Sequence, residues 1–78
     1  MEQNETITLY TREGCHLCER VEVMLQELGA EWRPVDIEED PNLEAEYGLR
    51  IPVLRLSDSG RELDFPFDHD VLRTFLSG

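Results

Sequence analysis

The chain has 78 residues, with eighteen acidic side chains against seven basic ones and a formal charge of -11; this balance excludes a basic patch for nucleic acid or an anionic membrane, though not a basic protein partner. With 40% hydrophobic residues it can build one small core, so we expect a single domain over residues 1–78, one that buries only about 60–65% of the surface of its unfolded chain. No apolar run approaches the roughly 20 residues that span a bilayer, and the acidic start Met1-Glu2-Gln3-Asn4-Glu5 is unlike a leader, so a cytoplasmic location is expected; a monomer is expected as well.

Ile7 to Tyr10 alternate with Thr6 and Thr8 in a β-rich pattern, closed by Thr11-Arg12-Glu13-Gly14; this predicts the first strand. Leu17, Val21, Met24, Leu25 and Leu28 then draw one apolar stripe at helical spacing, and Gly29 follows as a stop. Trp32, Val35 and Ile37 suggest a second strand, with Pro34 marking an edge because proline cannot donate to a ladder. Asp40-Pro41 reads as N-cap and first turn of a short helix through Leu43 and Tyr47 to Gly48. Residues 51–56 and 61–65, joined by Ser57-Asp58-Ser59-Gly60, form an expected antiparallel hairpin. Asp68 can cap a last helix whose stripe is Val71, Leu72, Phe75 and Leu76. The order β-α-β-α-β-β-α implies an α/β fold: parallel pairing through the crossovers, an antiparallel strand from the hairpin, and helices on the faces of a mixed sheet of about four strands.

Cys15-His16-Leu17-Cys18 holds both cysteines of the chain, between the first strand and the first helix. A thiol is nucleophilic as thiolate, and the free N–H groups at a helix start stabilise that anion. Cys15 occupies this position; Cys18, one turn later on the same face, can attack a mixed disulfide formed at Cys15. In a reducing compartment a close cysteine pair is catalytic, redox-sensing or metal-binding more often than structural. An inert pair and a metal site are the alternatives, but a closed zinc site takes four ligands, and His16 and the distant His69 add at most two. No metal is therefore expected.

Together the Leu9-Tyr10-Thr11-Arg12-Glu13-Gly14-Cys15-His16-Leu17-Cys18 segment, Tyr47-Gly48-Leu49-Arg50-Ile51-Pro52-Val53 and the late Pro66-Phe67-Asp68 resemble the glutaredoxins of the thioredoxin fold, most of all short bacterial glutaredoxin-like proteins with a Cys-His-Leu-Cys centre. The resemblance implies that Cys15 attacks and Cys18 resolves. It implies that Arg12 contacts the glycine carboxylate of glutathione. It also implies that Ile51 offers backbone hydrogen bonds to the cysteinyl part of that peptide, before a cis Pro52. His16 replaces the usual proline, and Pro66-Phe67-Asp68 stands where the family's Gly-Gly and acidic pair hold the γ-glutamyl end; Asp68, as a cap, can meet an amino group. His16 reads equally as an imidazolium beside Cys15 or as a solvent-facing residue, and Arg12 as an anion contact or a solvated loop charge. The expected activity is thiol–disulfide exchange on protein disulfides or glutathionylated thiols, with glutathione as co-substrate and no bound cofactor. The alternative is a protein-binding module without turnover that uses the groove between Cys15, Ile51-Pro52 and Asp68.

Overall fold

A computed structural model describes residues 6–77; the acidic stretch Met1–Glu5, read above as unlike a leader, lies outside the described residues. The elements run β1 (Ile7–Thr11), α1 (His16–Glu27), β2 (Arg33–Asp36), a 3-10 turn (Ile37–Glu39), α2 (Pro41–Tyr47), β3 (Val53–Leu56), β4 (Glu62–Asp64) and α3 (His69–Ser77). They form a thioredoxin-like α/β fold around one four-stranded sheet in the order β2-β1-β3-β4.

The period of two along each strand makes the two faces of the sheet. Ile7 and Leu9 of β1 and Leu54 and Leu56 of β3 pack against Val21 and Leu25 of α1 and Leu72 and Phe75 of α3. On the opposite face Tyr10 and Val53 join Ile37, Tyr47, Leu43 and Ile51 under α2. Register holds the faces together, with Leu9 opposite Leu54 and Ile7 opposite Leu56. Among the described residues no helix is long and apolar enough to cross a membrane.

Several expectations shift in detail. β1 and β2 are parallel, but β3 runs antiparallel to β1 instead of continuing the parallel series. A parallel β3 would need a connection that returns along the sheet. Instead β3 starts with Val53 beside Tyr10, at the end of the sheet where β2 finishes with Asp36 beside Thr11, so the 3-10 turn and α2 return the chain to the end it left. Trp32 precedes β2 and Ile37 belongs to the 3-10 turn. Pro34 lies in β2, an edge strand, where a missing N–H leaves no interior ladder broken.

In α1, Leu17 is exposed and the buried stripe is Cys18, Val21 and Leu25. Cys18 thus takes the inward position at helical spacing that the sequence assigned to its neighbour. Val71 in α3 is likewise exposed, leaving Leu72 and Phe75 as the buried anchors.

Candidate functional site

β1 delivers the chain to the site through a tight turn. Cys15 N–H donates to Arg12 O at 3.1 Å, and Gly14 within that turn has φ of 82°, a conformation that costs a side-chain-bearing residue but not glycine. The turn hands Cys15 to α1 as its N-cap, in extended geometry. There the Cys15 Sγ accepts the Cys18 N–H at 3.2 Å, so the sulfur fills the role that a serine or aspartate oxygen has in an ordinary cap. Cys15 and Cys18 are joined as a disulfide, with their Cα atoms 5.2 Å apart. The two sulfurs differ in access: Cys18 is buried, at 2% exposure, whereas Cys15 is partly open to solvent.

The disulfide lines an open pocket of about 370 Å³ together with Thr11, Arg12, Glu13, Gly14, Glu19, Glu22 and Asp36. Asp36 reaches it from β2, where it stands in register with Thr11. Among the described residues Arg12 is the single basic group in the lining, and it is already engaged. Its Nη2 donates to Glu44 at 2.7 Å, and its Nε lies 3.1 Å from Glu38, an ion pair without hydrogen-bond alignment. The side chain that the resemblance assigns to a ligand carboxylate thus holds two carboxylates of this chain. His16 points to solvent with 91% of its side chain exposed, 3.7 Å from Glu19, and is not part of the lining. Among the described residues no three His, Cys, Asp or Glu side chains gather into a metal-holding group.

Pro52 is buried, and the Ile51–Pro52 bond is cis, as is Phe65–Pro66. Extending the β1–β3 register one step beyond Tyr10 opposite Val53 sets Pro52 beside Thr11, at the pocket end of the sheet. The Ile51 N–H donates to Tyr47 O at 3.0 Å, so it is not a free donor for a ligand. Asp68 caps α3 by accepting the Val71 N–H at 2.9 Å. The next residue, His69, meets Glu27 at 2.7 Å, in the last turn of α1, about 17 Å along that helix from its start. Asp68 therefore lies toward the far end of α1 and is not part of the pocket lining.

A family model described as a glutaredoxin-like domain (DUF836) matches residues 6–77. The chain belongs to this glutaredoxin-like family. Its solved structural relatives include the structural-genomics target protein XcR50 from X. campestris, 46% identical, covering 92% of this chain and 96% of that one at a TM-score of 0.84. Protein Ne2328 from Nitrosomonas europaea is 31% identical over 97% of this chain and 95% of its own, with a TM-score of 0.83. A mutant thioredoxin from Halobacterium salinarum is 24% identical over 95% of this chain and 74% of its own at 0.71, which supports the fold alone. No curated protein matches.

This glutaredoxin-like domain also holds a polar clamp that the sequence reading missed. Arg50, just before Ile51-Pro52, donates to Asp64 at 3.0 and 3.1 Å, to Glu62 at 2.7 Å and to Glu46 at 3.0 Å. The Tyr47 hydroxyl donates to Glu62 at 2.6 Å, and its ring stacks on Tyr10 at 4.1 Å. Burial, then the hydrogen bond to Glu62, pushes the Tyr47 hydroxyl above its ordinary pKa. Burial pushes the Glu62 carboxyl up, but hydrogen bonds from Tyr47 and Arg50 outweigh it and hold it below the usual range. The Asp64 carboxyl is held low chiefly by Arg50, and the Arg50 guanidinium is held protonated by Asp64 and Glu62. The clamp ties α2 and β4 to the segment that leads into Pro52. The Glu46–Arg50 spacing of four was a readable signal; the partners on β4 appear only once the hairpin forms.

Proposed function

We propose that the protein is a thiol–disulfide oxidoreductase in which Cys15 is the nucleophile and Cys18 the resolving thiol. The observation that supports this best is the asymmetry of the pair: Cys15 is partly open at the start of α1, its sulfur receiving a backbone N–H, and Cys18 is buried behind it. A thiolate at Cys15 gains from that N–H and from the helix dipole.

In the reduced protein the Cys15 thiolate attacks one sulfur of a substrate disulfide. A mixed disulfide forms at Cys15, and the other substrate sulfur leaves as thiolate. Deprotonated Cys18 then attacks the Cys15 sulfur, which forms the Cys15–Cys18 bond and releases the second substrate thiol. Two electrons pass from the pair to the substrate, and the two thiol protons end on its sulfurs. An external thiol or dithiol reductant resets the pair. The substrates are protein disulfides or glutathionylated thiols, and the chemistry belongs to a reducing compartment such as the cytoplasm.

Single substitutions test the assignment. Cys15→Ser should abolish exchange, whereas Cys18→Ser should still attack and then accumulate a mixed disulfide detectable by mass. Equal activity in the two variants would overturn the roles, and exchange by neither wild type nor variant would leave a docking module.

A further inference from the structure

Resting on that reading, we propose that, of the two substrate classes, the site selects protein disulfides carried on positively charged segments and disfavours disulfides that carry anionic groups, those of glutathione included. The disulfide shares its pocket with four carboxylates, Glu13, Glu19, Glu22 and Asp36, and with one cation, Arg12. The charge of Arg12 is balanced by Glu38 and Glu44. All seven basic residues of the chain are arginine, and several are committed elsewhere: Arg50 and Arg55 to carboxylates near β4, Arg73 to Asp70, Arg20 and Arg61 to aromatic faces. An incoming disulfide therefore meets a negative potential at the sulfur it must approach. Of the contacts that the resemblance gives glutathione, Arg12 is engaged by internal acids, the Ile51 N–H donates to Tyr47, and Asp68 caps α3 outside the pocket lining. A cationic segment next to a substrate disulfide finds Glu13, Glu19 and Glu22 around the reactive pair.

The potential acts on encounter, so its signature is salt dependence of opposite sign for opposite charges. The test uses the reduced wild-type protein with three small disulfides: cystamine (cationic), 2-hydroxyethyl disulfide (neutral) and oxidised glutathione (anionic). Their leaving thiols differ in acidity, so each rate is compared only with itself as salt changes. Lowering salt from about 0.15 M to about 0.015 M lengthens screening from about 8 to about 25 Å. The cystamine rate should rise about three- to tenfold and the glutathione rate should fall by a similar factor, with the neutral rate little changed. The triple variant Glu13→Gln, Glu19→Gln, Glu22→Gln should flatten both trends. A control variant, Glu31→Gln with Asp70→Asn, removes charges outside the pocket lining and should keep them.

Salt dependence of the same sign for cystamine and glutathione would overturn the proposal, as would an unchanged triple variant or a control that flattens the trends equally. No exchange with the neutral disulfide would instead overturn the redox reading on which it rests.

Discussion

Reducing the Cys15–Cys18 bond should lower the stability of the fold by about 1–2 kcal/mol and no more, and the figure follows from the size of the ring it closes. The cysteines are separated by three in sequence, so the loop holds four residues. The chain-entropy relation then gives about 6.2 cal/mol/K, or about 1.9 kcal/mol at 25 °C. Two further effects act on the reduced form. The start of α1 favours a Cys15 thiolate by about 0.3–1 kcal/mol, and the carboxylates of the pocket work against it. Urea unfolding of the oxidised and the fully reduced protein, side by side at pH 7, reads the difference directly. In a domain of this size it corresponds to a Tm lower by about 4–15 °C after reduction. The same difference makes the folded pair at most about 40 mV more reducing than the pair in an unfolded chain. A loss above about 4 kcal/mol, or unfolding on reduction alone, would make the pair a structural staple instead of a redox centre. A reduced form more stable than the oxidised one would refute the entropy argument from the other side.

The Arg50 clamp should be visible in acid. Arg50→Met should cost about 1–2 kcal/mol at pH 7, below the 3–5 of a fully buried pair because Asp64 is nearly half exposed. Glu62 and Asp64 have folded pKa values below the ordinary carboxylate range, so their contribution is present above about pH 4 and is lost as pH falls through the lowered values. The deficit of the variant should therefore shrink below pH 4 in urea titrations; a deficit constant with pH would show that packing and not charge is at stake. Leu54→Ala, at a wholly buried position of β3 in the core with α1 and α3, should cost about 2–5 kcal/mol in the same assay, and a cost below about 1 kcal/mol would contradict the placement of the core.

What the sequence revealed and what it withheld divide along physical lines. Features set by neighbours in the chain were legible. Cys15 at the start of α1, Asp40 capping α2, Asp68 capping α3 and Pro34 on an edge all follow from local backbone chemistry. The inward stripe of α1 was legible except at Leu17, where a cysteine, small and apolar, occupies the buried position. The direction of β3 was not legible, because the stretch between Asp36 and Val53 is long enough either to cross back along the sheet or to return at the same end. The site was half readable. The cysteine pair and its adjoining turn were in view, whereas the acidic lining draws on three separate segments, the turn after β1, the first turns of α1 and the end of β2. Arg12 shows the limit most clearly. The resemblance gives it an anion contact and the bare sequence a solvated charge, whereas the partners it has here, Glu38 and Glu44, come from the 3-10 turn and α2, which only the folded chain brings near.

Whether this pair exchanges electrons reversibly is read from its reduction potential. The protein would be equilibrated in graded thiol–disulfide buffers at pH 7, and free thiols counted by mass after alkylation. A reversible two-electron midpoint is expected between about -270 and -120 mV, the span of dithiol enzymes. Thiols that never equilibrate with the buffers, or that bind metal instead of oxidising, would contradict it.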